Sequence, residues 1–361
     1  MTEKKQEYLL NTIYLYLTDR CNLRCSHCWI TPVYNRTDRN INSKIDIKYL
    51  KRAIIDAKSI GLTCVKLTGG EPFLRKDILD LIDFLSSNDI IVDIETNGTL
   101  LNEEIVERLN GSSVNQVSVS LDGASEKSHE SIRKVAGCYQ KALNGLALLT
   151  KNDIGTQIIM SLHEGNISDI EKLADIADRM GVGSLKINPI MPTGRGKDFF
   201  ANEENLSVEK LLSINRWIEE ELSLKYDSID ICFDIPTGLK SLKSITSSQL
   251  YECNILNIIG ILANGNISLC GIGQTETDLV MGNILRDDIC NVWSNHHLLK
   301  KLRKDLPKNL SGICGRCIFK FRCLGACRAS AYSLTGNLNS SFFLCDEAYK
   351  NGIFPESRMI N

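Results

Sequence analysis

No stretch of this chain is long and apolar enough to cross a bilayer. The best candidate, Tyr8 to Leu17, is short, is broken by Asn11 and Thr12, and lacks the small-residue cleavage site of a secretory signal. The sequence therefore places the chain in the cytoplasm without membrane contact. Charge of one sign is also missing. There are 42 Lys and Arg against 44 Asp and Glu, a formal net charge of -2, and no basic run stands out. Binding to nucleic acid or to an anionic membrane has no electrostatic support. Neither an internal repeat nor a low-complexity linker is present, which argues against solenoids and tethered arrays.

What remains is an ordinary globular composition, 43% hydrophobic and 24% charged over 361 residues, sufficient for one large domain and a smaller one. Against that background 14 cysteines are many. A reducing cytoplasm argues against a disulfide framework, so metal or cluster binding is the expectation.

From residue 12 to about 190, short β-branched runs alternate with amphipathic stretches. Strands are predicted at Thr12–Leu17, Cys64–Leu67, Ile91–Glu95, Gln116–Leu121, Gln157–Leu162 and Leu185–Asn188, with helices near 47–60, 76–87, 102–110, 138–151 and 167–180. In the last helix Ile167, Ile170, Leu173, Ala174, Ala177 and Met180 share a face, and Gly181 supplies the stop. Six alternating units predict an α/β fold with a parallel sheet, either doubly wound or curled into a partial barrel, with ligands at the carboxyl ends of the strands. A charged helix near 207–224 and a strand at Ile229–Phe233 lead to a cysteine-rich tail. Its sparse periodicity predicts that metal, more than an apolar core, organises it.

The chemistry-bearing residues gather at those strand ends. Cys21, Cys25 and Cys28 follow the first strand, Gly69-Gly70-Glu71-Pro72 the second, Thr96-Asn97-Gly98 the third and Asp122-Gly123 the fourth. Three thiolates can hold three irons of a four-iron cluster and leave the fourth for a small molecule. A structural zinc would want a fourth ligand, and His27, next to Cys28, is awkwardly placed for it. The glycine turn brings backbone close to a ligand and the proline fixes its exit, although a plain strand-to-helix turn reads the same way.

These motifs together resemble the radical S-adenosylmethionine (SAM) superfamily. The resemblance implies a partial (β/α)6 TIM-type barrel. Cys21, Cys25 and Cys28 would hold a 4Fe-4S cluster whose open iron is chelated by SAM. Gly69, Gly70, Glu71 and Pro72 would receive its methionine ammonium, and His27 would stand where an adenine-contacting aromatic is usual. Thr96, Asn97, Ser120 and Asp122 are candidates for the nucleoside and carboxylate, with a polar interior layer as the competing role for each. His129 and Arg133 resemble a His-x3-Arg of the subfamily, Arg133 being a candidate for a carboxylate against a solvated helix face. Asn166 and the Pro192–Gly196 segment also match, without assigned chemistry.

The tail spacing Cys253-x11-Gly265-x4-Cys270, then Cys314-x2-Cys317-x5-Cys323-x3-Cys327-x17-Cys345, resembles the seven-cysteine SPASM extension. Zinc sites are the competing explanation. By resemblance Cys314, Cys317, Cys323 and Cys345 hold a distal auxiliary cluster, and Cys253, Cys270 and Cys327 a nearer one that is one ligand short. Either that position is open or a spare thiol (Cys64, Cys138, Cys232 or Cys290) fills it; the open site is preferred. Asn264-Gly265 is a hairpin signal that would bring Cys253 and Cys270 together. The expected organisation is a barrel over 1–200, a connector over 201–250 and a SPASM domain over 251–361.

The resemblance implies three 4Fe-4S clusters, SAM and a low-potential donor such as ferredoxin or flavodoxin. The expected activity is modification of a ribosomally made peptide, through a carbon–sulfur or carbon–carbon crosslink. A motif at residue 21 leaves no room for a leader-binding domain, so a separate leader-binding protein is expected. A haem-type or quinone cofactor precursor is the alternative substrate. An electron-transfer or zinc protein is the alternative class. No general base is legible, because Gly271 stands where sulfatase-maturing relatives offer an acid.

Overall fold

The computed structural model describes residues 8–34, 45–202, 204–247 and 253–360. Ten strands form one open sheet: β1 Thr12–Tyr16, β2 Cys64–Thr68, β3 Ile91–Thr96, β4 Val114–Ser120, β5 Thr156–Leu162, β6 Ser184–Pro189, β7 Asp230–Phe233, β8 Ile258–Ile261, β9 Asn266–Ser268 and β10 Val280–Asn283. Their order is β10-β9-β8-β1-β2-β3-β4-β5-β6-β7, parallel from β8 through β7. Six helices, α1 Ile47–Lys58, α2 Ile78–Ser86, α3 Glu103–Asn110, α4 Glu126–Arg133, α5 Cys138–Lys151 and α6 Ile170–Met180, fill the crossovers as far as β6. The six expected βα units are present, and the element bounds lie within a few residues of those read from periodicity.

Local chemistry sets these elements. Asp46 caps α1 by accepting from Lys48 N at 2.9 Å, and Leu50, Ala53, Ile54 and Ala57 face the sheet. In α6, Ile170, Leu173, Ala174 and Ala177 are buried, and Gly181 ends the helix at φ 70, a conformation that costs an L side chain energy. Alternation along the strands divides the sheet. Ile13, Leu15, Val65, Leu67, Val117, Val119, Ile158 and Met160 pack in the core shared with the helices. Tyr14, Tyr16, Lys66, Glu95, Ser118 and Gln157 occupy the alternate positions, on the inner face.

The tail departs from expectation. Its hairpin β8–β9, turned at Gly265 (φ 85), does form, but β8 also pairs in parallel with β1, Leu15 opposite Ile261. Ile259, Ile261, Ile267, Trp293, Leu299 and Leu302 are therefore continuous with the barrel core. Trp293 is buried, donating Nε1–H to Tyr8 O at 2.8 Å under the Arg303 guanidinium. Apolar burial therefore helps organise this part of the tail, at about 25 cal/mol per Å² removed from water. Among the described residues no helix is long and apolar enough to cross a membrane.

Candidate functional site

The rim is built from the loop after β1 outward. Gly69 and Gly70 lie against Thr18–Arg20. Gly69 has φ 132, with a would-be Cβ 2.7 Å from Thr18 O, and a Cβ on Gly70 would overlap Arg20 O. Their amides continue the contact, Gly70 N donating to Thr18 O and Glu71 N to Arg20 O. The glycines thus let the second loop approach the backbone that carries Cys21.

Glu71 is fully buried at the head of a turn begun by Pro72. Its carboxylate accepts from Thr96 Oγ1 at 2.7 Å, Asn97 N at 2.9 Å and Phe73 N at 3.2 Å. Burial nevertheless pushes its pKa up to about 7, against the lowering by those donors. Asn97 donates to Asn22 Oδ1 at 2.8 Å and reaches Cys21 Sγ at 3.9 Å. The loops after β1, β2 and β3 are thereby joined by one polar network.

A second network joins the far side. Asp122, fully buried, meets Arg133 Nε at 2.5 Å, and Arg133 Nη1 lies 3.5 Å from Cys25 Sγ. Arg133 is itself buried, so the solvated-face alternative does not hold: α4 turns His129, Ile132 and Arg133 inward because its outer face is occupied by Glu126 and Lys127. Asp122 Oδ1 accepts from Ser161 N at 2.8 Å, and Asp122 N donates to His129 Nδ1 at 3.1 Å. Despite burial, the neighbouring Arg133 and histidines hold the Asp122 carboxyl far below its usual range. His27 pairs with Ser161 Oγ at 3.1 Å, and its buried Nδ1 has no partner in the chain. Ser120 ends β4, half-buried on the inner face.

Residues with no chemistry assigned from sequence serve as clamps. Arg195 N donates to Cys28 O, and its guanidinium to Cys25 O and Pro32 O at 3.1 and 3.2 Å. Asn166 Nδ2 donates to Asp122 O at 2.7 Å and to Ser161 O at 2.9 Å. Ser161 carried no sequence signal of this role and His129 only its place in the His-x3-Arg, because folding sets both against Asp122.

Burial pushes the thiol of Cys21 up to about 12 and that of Cys28 up to about 11. Binding iron there must displace protons. Cys138, a spare thiol, is buried in the same cluster as Cys21, Leu23 and Cys25.

Across the inner face stand the tail thiols. Cys270 is followed by Gly271, against which the Tyr16 ring packs; Tyr16 also contacts Cys28 and Ile30 and meets Trp29 edge-on at 6.2 Å. Cys253 is exposed, and the charged groups that act on its thiol belong to Cys327, Cys270, Asp234 and Lys186; those around Tyr14 include Lys66, Cys253, Glu95 and Cys270. Tyr16 thus links the two trios, touching Cys28 of the first and the Gly271 backbone next to Cys270 of the second. Of the spare thiols, Cys290 is bonded to Asp56 O at 3.2 Å beside α1, and Cys64 points to Asp93.

Cys314, Cys317, Cys323 and Cys345 line one small pocket with Gly238, Ile313 and Phe354. Phe342 N donates to Cys314 Sγ at 3.3 Å, and the hydrogen bond between Cys314 and Cys345 draws Cys314 below the usual thiol range. Between the two tail sites lies Arg328, 1% exposed. Its Nη1 is spent on Leu338 O and Ser340 O, while Nε and Nη2 have no partner in the chain. Burial lowers its pKa, and the groups that act against this are the thiols of Cys314, Cys327, Cys323 and Cys345. A buried guanidinium is costly without a counter-charge, and anionic thiolate clusters on either side would supply it. The donor set therefore fits iron–sulfur clusters.

A radical SAM superfamily model matches residues 15–177, and an iron–sulfur cluster-binding domain model (SPASM) matches residues 253–318. The chain is 30% identical over 335 residues to the AdoMet-dependent heme synthase of Methanosarcina barkeri (strain Fusaro), covering 89% of this chain and 92% of that protein. It is 25% identical over 335 residues to the mycofactocin maturase MftC of Mycobacterium tuberculosis, covering 88% and 78%. Among solved structures, Streptococcus suis SuiB bound to S-adenosylmethionine superposes with a TM-score of 0.74 at 19% identity, over 94% of this chain and 77% of that one.

Proposed function

The chain belongs to the radical SAM superfamily and carries a SPASM domain, and on that premise we propose that it abstracts a hydrogen atom from a carbon of a ribosomally made peptide. Members of this kind bind a 4Fe-4S cluster, SAM and auxiliary iron–sulfur clusters. When bound, the first cluster and SAM supply a 5′-deoxyadenosyl radical by one-electron reductive cleavage.

Cys21, Cys25 and Cys28 would hold that cluster. Cys314, Cys317, Cys323 and Cys345 would hold the distal auxiliary cluster. Cys253, Cys270 and Cys327 would hold the nearer one, its fourth position left for a substrate group. Glu71, Thr96 and Asn97 are spent on one another, and Arg133 and Asp122 on Cys25 and the histidines; these five position the loops. The Gly69–Gly70 backbone, His27 and Ser120 remain to receive SAM. The barrel is built on the residues through 200, the 201–250 segment adds β7 to its sheet, and the SPASM unit from 251 adds β8 to β10.

The observation that carries this reading is Tyr16, which touches Cys28 on one side and the Gly271 backbone beside Cys270 on the other, with Tyr14 packed next to it on the inner face. A substrate there would touch the radical source on one side and an auxiliary cluster on the other, shielded from water.

Haem-type precursors are the second reading, favoured by the 30% identity to a heme synthase. Against it, the inner-face lysines are already matched: Lys66 pairs with Glu95 at 3.0 Å and Lys186 with Asp234 at 3.1 Å. That leaves little cationic surplus for a multiply charged carboxylate substrate, whereas a polar peptide backbone can use such pairs.

Anaerobic incubation with SAM and titanium(III) citrate tests the core activity. Wild type should release 5′-deoxyadenosine, and the Cys21→Ala/Cys25→Ala/Cys28→Ala variant should not, while its tail clusters persist in the electron paramagnetic resonance spectrum. Deuterium transfer into 5′-deoxyadenosine from a labelled neighbour-encoded peptide, but not from a labelled iron–porphyrin, would select the first substrate class. The reverse result would select the second.

A further inference from the structure

The distal thiol cavity lies directly beneath an exposed face that the site above does not use. Cys317 is followed by Ile318, 43% exposed, and Cys323 is preceded by exposed Arg322. Between them Phe321 is 67% exposed, with the Lys320 ammonium over its ring at 5.7 Å, and Lys320 also lines the cavity. The segment 358–360 runs alongside: Ile318 N donates to Arg358 O at 2.8 Å and Ile360 N to Arg316 O at 2.7 Å, which places exposed Ile360 and Arg316 beside Ile318. Arg316 in turn stacks on exposed Tyr349 at 5.3 Å.

Contiguous exposed apolar surface marks interaction sites, and here Ile360 adjoins Ile318 across the backbone bridge, with Phe321 three residues further on. The charge around them is mostly positive, with exposed Glu356 on the neighbouring segment as the acidic exception. From Leu306 to Cys345 the chain carries Lys308, Arg316, Lys320, Arg322 and Arg328 and neither Asp nor Glu, although the whole chain has net charge -2. Asp346 and Glu347 follow on the next helix, half-buried.

We propose that this face, Ile318, Phe321 and Ile360 rimmed by Arg316, Lys320 and Arg322, docks a small acidic one-electron carrier protein that exchanges electrons with the distal auxiliary cluster. It rests on the family reading above. An apolar centre with a cationic rim suits a small transient redox interface, where charge complementarity governs the encounter rate. The covalent neighbours of Cys317 and Cys323 are themselves at the surface, so a docked carrier stands within one residue of the thiols. One electron would leave the carrier's reduced centre and enter the cluster that Cys314, Cys317, Cys323 and Cys345 would hold. The carrier is oxidised by one electron, the cluster is reduced by one, and no bond or proton is exchanged.

The test uses the fully loaded enzyme and two reductants, a photoreduced acidic flavodoxin and titanium(III) citrate, which needs no docking face. Cluster bleaching is followed by stopped-flow absorbance in wild type, in Phe321→Ser/Arg322→Glu, in Ile318→Ser and in a distant charge reversal, Arg286→Glu. At low ionic strength the first two variants should be reduced by flavodoxin about tenfold or more slowly than wild type. Bleaching by titanium(III) citrate should be unchanged, and Arg286→Glu should match wild type. Added salt should slow wild type and bring it toward the variants. Equal flavodoxin rates in all four proteins overturn the docking face, as does a wild type that flavodoxin cannot reduce while titanium(III) can. A wild type with no iron–sulfur absorbance to bleach overturns the family premise instead.

Discussion

The ring of Tyr16 occupies the space that a side chain on Gly271 would need. A Cβ at residue 271 would stand 2.5 Å from Tyr16 Cε1 and nearer still to Cζ and Oη. The first strand of the barrel and the loop of Cys270 are thus fitted to each other, and an acid in place of Gly271 has no room. Gly271→Ala should destabilise by about 1–3 kcal/mol through overpacking. Tyr16→Ala should relieve that penalty in the double variant, giving a non-additive cycle by urea unfolding. Strict additivity would show that the two residues do not share this space.

The Asp122–Arg133 pair is buried on both sides, so removing one partner strands the other. Arg133→Ala should cost about 3–5 kcal/mol, because Asp122 keeps its charge without its main counter-ion. Arg133→Lys, which cannot reach Asp122 and Cys25 Sγ together, should restore part of it. A loss under about 1 kcal/mol in the alanine variant, measured in urea, would argue that His27 and His129 carry the charge balance instead.

Glu71→Gln preserves shape but puts an amide N–H₂ where a donor already points. One of Thr96 Oγ1, Asn97 N or Phe73 N then loses its acceptor. A loss of about 1–3 kcal/mol in thermal or urea unfolding is expected. Wild-type stability in this variant would mean that the network rearranges freely.

The acid limb of stability should carry a histidine signature. His129 Nδ1 accepts from Asp122 N and therefore cannot be protonated there. Burial, together with Arg133, holds its pKa down to about 4 from 6.5, although Asp122 pulls the other way; His27 faces it, and Tyr139 packs on its ring. Between these values the unfolded chain binds the extra proton. The contribution is whole above pH 6.5 and is lost as pH falls through 6.5 toward 4. Glu71, raised from 4.5 to about 7, acts oppositely: its folded form holds the extra proton, so its contribution falls as pH rises through that window. In His129→Asn, unfolding free energy should rise less steeply from pH 4 to 6.5 than in wild type. An unchanged slope would remove His129 from the account.

Alternation and helical period were sufficient to find β1 to β7 and the barrel helices other than α4, because a buried face repeats every two or 3.6 residues whatever it packs against. The cysteine spacings and the Gly69–Pro72 turn carried the family and its cofactors for a similar reason: ligands to one centre must be close along the chain or at fixed separations. Only the tertiary structure decided what the remaining residues do. Period could not show that β8 pairs with β1, that Arg133 turns inward to Asp122 and Cys25, that Arg328 sits between two thiol sites, or that Gly271 is reserved for Tyr16. Each is a contact between segments far apart in sequence, set by side-chain volume and by the cost of leaving a buried charge unmatched.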